Sequence, residues 1–333
     1  MEITRIGLVG PRRSRQGLGP FLARFAEAAG AKVCACVGSS SRSGREGARE
    51  IGGLLGHEVR PYDDLSRMVR EEARRGSPID ALLIASPHAT HEAALLEAAR
   101  SGLHVLCEKP LIWGGPDLAG RVERILDAFV HADRLLMVNT QWPCTLPAYF
   151  RLFPSLAGAR FDRFECRFSP ISQGERQIPD ALPHPLSLLQ ALAPSGEDRL
   201  LDLRIERRDD ASGSQTFSFG WPADPGAIDC TVRLEVHEEP PRPAEYGVQG
   251  HIAQRVIQLP AYELSFRGEL GLVRASGGPE SSEVRFEDPM GTLVGDFLSF
   301  IRNGRTRKPD YSPLQRIRML EQIQEAHQKL SHT

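Results

Sequence analysis

From residue 78 to residue 110 the chain reads PIDALLIASPHATHEAALLEAARSGLHVLCEKP, two short apolar runs on either side of an amphipathic stretch. Ala81–Ala85 and His104–Cys107 are apolar without alternation, the pattern of strands covered by helices on both sheet faces. Between them, His91–Arg100 has apolar residues at helical spacing and stops at Gly102. The same alternation extends over the first 140 residues. Ile6–Val9, Lys32–Val37 and Leu135–Asn139 are further apolar strands. Pro20–Ala29 is a helix with Pro20 in its first turn and Gly30 as its stop, and Asp64–Arg75 is another. Strand and helix in regular succession predict an α/β fold with a doubly wound parallel sheet of the Rossmann type.

Beyond about residue 150 the texture changes. Phe161–Phe168, Leu200–Arg207, Thr216–Trp221, Ala227–Val236, Gln249–Gln258, Tyr262–Phe266 and Leu270–Arg274 read as strands separated by loops rich in Gly, Pro and Asp. Strands in succession without helices between them predict a large open sheet, mixed or antiparallel. Two helices, Gly291–Arg302 and Ser312–Leu330, close the chain. The expected division is therefore a doubly wound α/β domain over 1–140, an α+β domain over 141–311, and a C-terminal helix over 312–333 packing back on the body.

Composition narrows the function classes. The 333 residues are 41% hydrophobic and 25% charged, with a formal net charge of −2, so neither nucleic acid nor an anionic membrane is an expected partner. No apolar run reaches the ~18 residues of a membrane span. The start, MEITRIGLVG, enters a strand directly and lacks the layout of a signal peptide, so a cytoplasmic location is expected. The six cysteines form no CxxC pair and no zinc-finger spacing with histidine, and no metal is expected.

Only four of the 41 basic residues are lysines: Lys32, Lys109, Lys308 and Lys329. Lys109 stands just past an apolar strand. A desolvated lysine gives up its proton where arginine does not, which suits proton-transfer chemistry. Gly10, Gly17 and Gly19 fall in the first strand-to-helix turn, where a dinucleotide fold needs close backbone approach to a pyrophosphate. The intervening Pro-Arg-Arg-Ser-Arg-Gln is longer and more basic than a GxGxxG turn, so a plain glycine loop stays open as a reading. Arg12, Arg13 and Arg15 are either phosphate contacts or a solvated loop. The second strand ends in Val37-Gly38-Ser39-Ser40-Ser41-Arg42, with no acidic residue for ribose hydroxyls. Ser41 and Arg42 instead suit a 2′-phosphate, so NADP is the expected cofactor, with NAD the alternative. Ser86-Pro87-His88-Ala89-Thr90-His91 follows a strand at the edge where such sheets bind ligands. Ser86 or Thr90 can equally cap the next helix, and His91 reads best as a structural histidine.

The order IGLVG, SPHATH, GLHVLCEKPL and Asp180-x-x-x-His184, together with DFLSFIRNGR over 296–305, resembles the glucose–fructose oxidoreductase, inositol dehydrogenase and MocA family. The resemblance implies a nicotinamide-binding Rossmann domain followed by an α+β domain whose open sheet supplies substrate contacts and a homodimer or homotetramer interface. It also places Ser86, Pro87, His91, Glu108 and Lys109 at the cofactor, permits a cis Lys109–Pro110 bond, and makes Lys109, Asp180 and His184 the catalytic set. On that basis His184 handles the proton of a substrate hydroxyl, Asp180 orients it or binds substrate, and Lys109 stabilises a developing alkoxide.

Three departures stand out. Pro183 and Pro185 flank His184, which predicts a helix start there; Gly174-Glu-Arg-Gln-Ile-Pro179 replaces a glycine run; and Gln141 stands where relatives often carry arginine or tyrosine. The expected activity is NADP(H)-dependent hydride transfer to or from a hydroxyl or carbonyl carbon of a sugar, sugar acid or cyclitol. Reduction of a C=N bond, or a non-catalytic NADP-binding sensor or scaffold, are the alternatives.

Overall fold

A computed structural model describes residues 3–12, 17–207, 213–224, 226–237, 242–258, 261–266, 283–304 and 310–330. The chain forms two compact units, residues 1–139 with 290–314 and residues 140–289 with 315–333. In the first, strands β1 (Arg5–Val9), β2 (Lys32–Val37), β3 (Arg60–Tyr62), β4 (Ala81–Ile84), β5 (His104–Cys107) and β6 (Leu136–Val138) alternate with five helices. These are α1 (Gly19–Ala28), α2 (Ser41–Leu55), α3 (Leu65–Arg74), α4 (His91–Arg100) and α5 (Leu118–His131). The sheet is parallel in the order β3-β2-β1-β4-β5-β6, the doubly wound arrangement expected. Its direction of winding reverses between β1 and β4, the position where such sheets bind ligands.

The second unit carries α6 (Leu146–Leu152), β7 (Arg163–Phe168), α7 (Gln177–Ala181), α8 (Pro183–Leu192) and strands β8 (Leu201–Arg207), β9 (Gln215–Pro222) and β10 (Ala227–Leu234). Strands β11 (Ala244–Val248), β12 (His251–Gln258), β13 (Ala261–Phe266) and β14 (Glu283–Phe286) complete its eight-stranded sheet. The sheet order is β14-β13-β12-β11-β7-β10-β9-β8, antiparallel except where β7 and β10 run parallel. The expected open mixed sheet is present. The single expected strand Gln249–Gln258 is in fact the far arm of a hairpin. Gln249 and Gly250 both adopt positive φ (52° and 76°) and turn β11 into β12, with Val248 opposite His251. The strand expected over Leu270–Arg274 lies outside the described residues.

The last two helices, α9 (Pro289–Arg302) and α10 (Ser312–Leu330), go to different units. Met290, Val294, Phe297 and Leu298 of α9 join Leu22, Ala26 and Ile51 in the first core, although α9 was expected within the 141–311 domain. From residue 315 onward, α10 binds the second unit. There Arg316 Nε donates to Gln190 at 2.9 Å and Gln322 exchanges two bonds with the Leu200 backbone. No helix among the described residues is long and apolar enough to cross a membrane.

Two details hold the first sheet together. Gly10 ends β1 with φ 81°, donates its N–H to Val37 O at 3.0 Å, and lies so close to the end of β4 that a Cβ would sit 2.6 Å from Ser86 N. Only glycine permits that approach. Glu72 on α3 is fully buried and accepts from Arg60 Nε at 2.6 Å and from Tyr62 OH at 2.7 Å. Burial alone would raise its carboxyl; the bonds from Arg60 and Tyr62 outweigh it, leaving the pKa below the ordinary 4.5.

Folding therefore favours the ionised Glu72. Its contribution is whole above pH 4.5 and is lost as pH falls through the lowered folded value. Glu72→Gln should cost about 2 kcal/mol at neutral pH, and denaturant titrations should show that difference shrinking below pH 4.5. Gly10→Ala should cost at least about 2 kcal/mol through its backbone strain and its contact with Ser86. A midpoint unchanged by Gly10→Ala would refute the close-approach argument.

Candidate functional site

The carboxyl edge of the parallel sheet gathers most of the residues expected at a cofactor. Helix α1 starts at Gly19, where a Cβ would run into the Gly10 carbonyl oxygen, and Gly17 precedes it in the same turn. No side chain caps the start of α1 and no acidic residue lies in its first turn, so its leading N–H groups are oriented for an anion. This uncapped terminus beside two close-packed glycines fits a dinucleotide pyrophosphate. Arg13 and Arg15 lie outside the described residues.

The β2 edge differs from the loop that the sequence implied. Ser40 caps α2, with Ser43 N–H donating to Ser40 Oγ at 3.2 Å and Ser40 N–H donating to Ser43 Oγ at 2.9 Å. Ser41 and Arg42 are thus first-turn helix residues. Ser41 Oγ donates to the Asp63 carboxylate at the end of β3. Arg42 Nε donates to Glu46 Oε1 and Arg12 Nη1 to Glu46 Oε2, both at 2.8 Å, so two guanidiniums share one carboxylate. Glu46 and Asp63 are the residues the sequence reading passed over. An acidic residue one helical turn beyond Arg42 was the available signal.

After β4, Thr90 Oγ1 lies 2.7 Å from Ser86 Oγ and 2.9 Å from Pro87 O. It ties the loop together and does not cap α4, the alternative that the sequence left open for it. His91, 1% exposed, sits with Nε2 2.7 Å from Ser86 O and Nδ1 3.0 Å from Leu111 O and 3.2 Å from Pro110 O. Burial lowers its pKa against the pull of those carbonyls. Its ring is used up in joining the loop after β4 to the loop after β5, the structural role read from the sequence.

Glu108 and Lys109 follow β5, and the Lys109–Pro110 bond is cis. Glu108 N–H donates to Ile84 O at 2.9 Å, which continues the sheet ladder one residue past the strand. Burial pushes the Glu108 carboxyl up to about 7, opposed by a hydrogen bond from Asn139 and by the charge of Lys109. Desolvation and the Lys109 charge together lower His88 in the neighbouring loop. Lys109 therefore stands electrostatically close to the Ser86–Thr90 segment at the carboxyl edge.

In the second unit, Asp180 is the penultimate residue of α7 and His184 lies in the first turn of α8. Leu182, between the two helices, keeps helical angles (φ −67°, ψ −22°). The path is nearly continuous, and Asp180 and His184 fall one turn apart. Pro183 and Pro185 do not break it, because first-turn residues of a helix owe no N–H to a preceding carbonyl. The helix start expected at His184 is present. Ser172 Oγ donates to Asp180 Oδ2 at 2.7 Å. The His184 ring faces Trp142 at 6.1 Å and Phe168 at 6.2 Å between centroids, and the Arg255 guanidinium lies 4.1 Å over Trp142. Trp142 and Arg255 drew no notice in the sequence, since a cation–aromatic pair between residues so far apart in the chain has no local signature. No His/Cys/Asp/Glu cluster suited to a metal occurs among the described residues.

Comparison with known proteins agrees with this geometry. Residues 4–140 match the family described as "Oxidoreductase family, NAD-binding Rossmann fold" (Gfo/Idh/MocA). An inositol 2-dehydrogenase of Streptomyces avermitilis is 36% identical over 108 residues, 32% of this chain and 27% of that protein. The chain thus matches only about a quarter of that curated relative's length. Among solved structures, an inositol dehydrogenase homologue from Azotobacter vinelandii, complexed with NADH and myo-inositol, is similar in fold with a TM-score of 0.64 at 18% identity. The match covers 98% of this chain and 96% of that one. A variant of a 3-ketoreductase from Actinomadura kijaniata, in complex with TDP-benzene and NADP, reaches a TM-score of 0.69 at 16% identity over 96% of each chain. Residues 4–140 and the parallel sheet they build thus match the Gfo/Idh/MocA oxidoreductase family with its NAD-binding Rossmann fold, a match that covers less than half of the chain.

Proposed function

We propose that the protein is an NADP(H)-dependent dehydrogenase or reductase acting on a hydroxyl or carbonyl carbon of a small polyhydroxylated substrate. The observation that carries this reading is the placement of Lys109 at the carboxyl edge of the parallel sheet, beside the Ser86–Thr90 loop. The bound nicotinamide would supply or accept the hydride. The protein's own groups then manage the proton and the charge. His184 accepts the hydroxyl proton in oxidation and returns it in reduction, and Asp180 holds the imidazole or a substrate hydroxyl. Lys109 stabilises the oxygen as negative charge develops on it. A polyhydroxylated substrate is favoured by the relatives, whose names include inositol dehydrogenases and a 3-ketoreductase.

Preference for NADP rests on Arg12 and Arg42. Sharing Glu46 leaves one net positive charge beside the β2 edge, and a 2′-phosphate can take up the unpaired donors of both guanidiniums. One observation favours NAD instead. Asp63, brought to the same edge by its bond from Ser41, is a carboxylate of the kind that accepts from ribose hydroxyls.

Fluorescence titration separates these readings. Under the NADP reading NADPH binds at least about tenfold tighter than NADH, and Arg42→Ala removes most of that margin; equal affinities, or a margin lost on Asp63→Ala, would favour NAD. For the chemistry, Lys109→Ala and His184→Ala should each lower kcat by about 100-fold or more on a substrate turned over by the native protein. The double variant should lose much less than the product of the two effects, because both act on one proton transfer. Full activity in either single variant would remove that residue from the mechanism.

A further inference from the structure

We propose that Arg255, stacked on Trp142, forms a carboxylate-binding subsite beside His184, and that the substrate is accordingly a sugar acid. The inference rests on the reading of His184 as the proton-handling group of the hydride transfer, and it narrows the substrate class of that same site.

The second sheet has two unlike faces. Across β7, β11 and β12, Cys166 stands opposite Tyr246 and Tyr246 opposite Ala253. Side chains alternate along a strand, so Phe164, Phe168 and Arg255 share the face of those three residues. All of them but Arg255 are exposed by 6% or less. The other face carries Glu165, Arg167, Glu245 and Gln254, where charges find partners. Arg167 Nε donates to Glu235 at 2.9 Å, and its Nη1 lies 3.7 Å from Glu245. An arginine on that polar face would need no explanation. Arg255 stands on the apolar one, where a charge is costly to place.

Trp142 meets part of that cost. Its ring is 3% exposed, and the Arg255 guanidinium carbon lies 4.1 Å from the ring centre. Stacking occupies the face of a guanidinium, whereas its N–H donors lie in the plane and form a fork that matches the two oxygens of a carboxylate. His184 faces the same indole at 6.1 Å between ring centres. The guanidinium carbon and the imidazole are therefore no farther apart than these two distances combined, a gap that the carbon chain of a sugar acid bridges. Both side chains are half-buried, while Trp142 and Phe168 beneath them are buried, so the cluster meets solvent through its cation and its imidazole. Charge sets the orientation. Asp180 stands one helical turn before His184 and accepts from Ser172 Oγ at 2.7 Å. A carboxylate is repelled there and attracted at Arg255, whereas hydroxyls, which donate, suit the Asp180 end.

The test uses the full chain with NADP, or with NAD where the titrations favour it. Substrates are D-gluconate, D-galactonate and D-glucuronate, each against its uncharged counterpart D-glucitol, D-galactitol or D-glucose. The acids should show a kcat/KM at least about tenfold higher than their counterparts, and Arg255→Gln should erase that ratio mainly through KM. Arg255→Lys, which keeps the charge and loses the fork, should restore part of it. A native ratio near one, or a ratio that Arg255→Gln leaves unmoved, overturns the subsite. Should Arg255→Gln not fold, the native and Arg255→Lys ratios decide. If no compound turns over, calorimetry of the same acids separates the two readings. Acid binding weakened at least about tenfold by Arg255→Gln supports the subsite and refutes the hydride-transfer reading. Acid binding indifferent to the substitution, or no acid binding, overturns the subsite.

Discussion

One buried imidazole joins the two loops on which the proposed chemistry stands. His91 begins α4, and its ring lies among the carbonyls of Ser86, Pro110 and Leu111, with Cys107 Sγ 3.4 Å from Nδ1. A neutral ring has one N–H for three carbonyl oxygens. Burial keeps the ring from charging readily, so its single N–H bonds one side of this cluster while the other side is held by packing. The position of Lys109 depends on this tie. Residue 109 immediately precedes the loop that His91 anchors, and the Ser86–Thr90 segment beside it is anchored by the other side of the same ring.

Electrostatic arrangement at the β2 edge follows from packing of a different kind. Helix α2 buries Gly44, Gly47, Ala48 and Ile51, and its glycines admit the Tyr62 backbone and the Pro11 ring. That close approach brings Arg12, on the β1 turn, within reach of Glu46, which Arg42 already bonds one turn away. The pairing of two arginines on one carboxylate is therefore a consequence of small residues on a helix face. Exposed ion pairs of this sort contribute little to stability. Their value lies in where the donors point.

In the second unit a proline-bracketed histidine is accommodated because both prolines sit where a helix needs no amide donor. The result is a helical path from Asp180 to His184 backed by Trp142, Phe168 and Tyr246. Tyr246 is pinned by Thr145 at 2.6 Å and Tyr149 stacks on it at 5.1 Å, so the aromatic backing is rigid. A rigid wall behind the ring limits its rotamers.

Much of the first unit was legible because its signals are local. Apolar runs, Pro20 in a first turn, and Gly30 and Gly102 at helix ends all reflect backbone rules that act within a few residues. Lys109 stood out because it is one of four lysines in an arginine-rich chain. Helix α2 was not legible, since its glycines weaken the helical signal and are explained only by the Tyr62 backbone and the Pro11 ring packed against them. Strand β11 was hidden for a similar reason, with a proline-rich stretch before it and a Gln249–Gly250 turn read as strand. The residue sequence by itself determined most element types, the parallel sheet and Lys109 as a candidate, because periodicity and turn chemistry are properties of neighbours in the chain, whereas His184 came from the family resemblance. Tertiary structure alone decided that Glu46 gathers Arg12 with Arg42, that Asn139 backs Glu108, and that His91 ties two loops. Those contacts join residues 16 or more positions apart in all but the Arg42 and Ser86 bonds, and only the packing of strands and helices determines which of many polar groups meet.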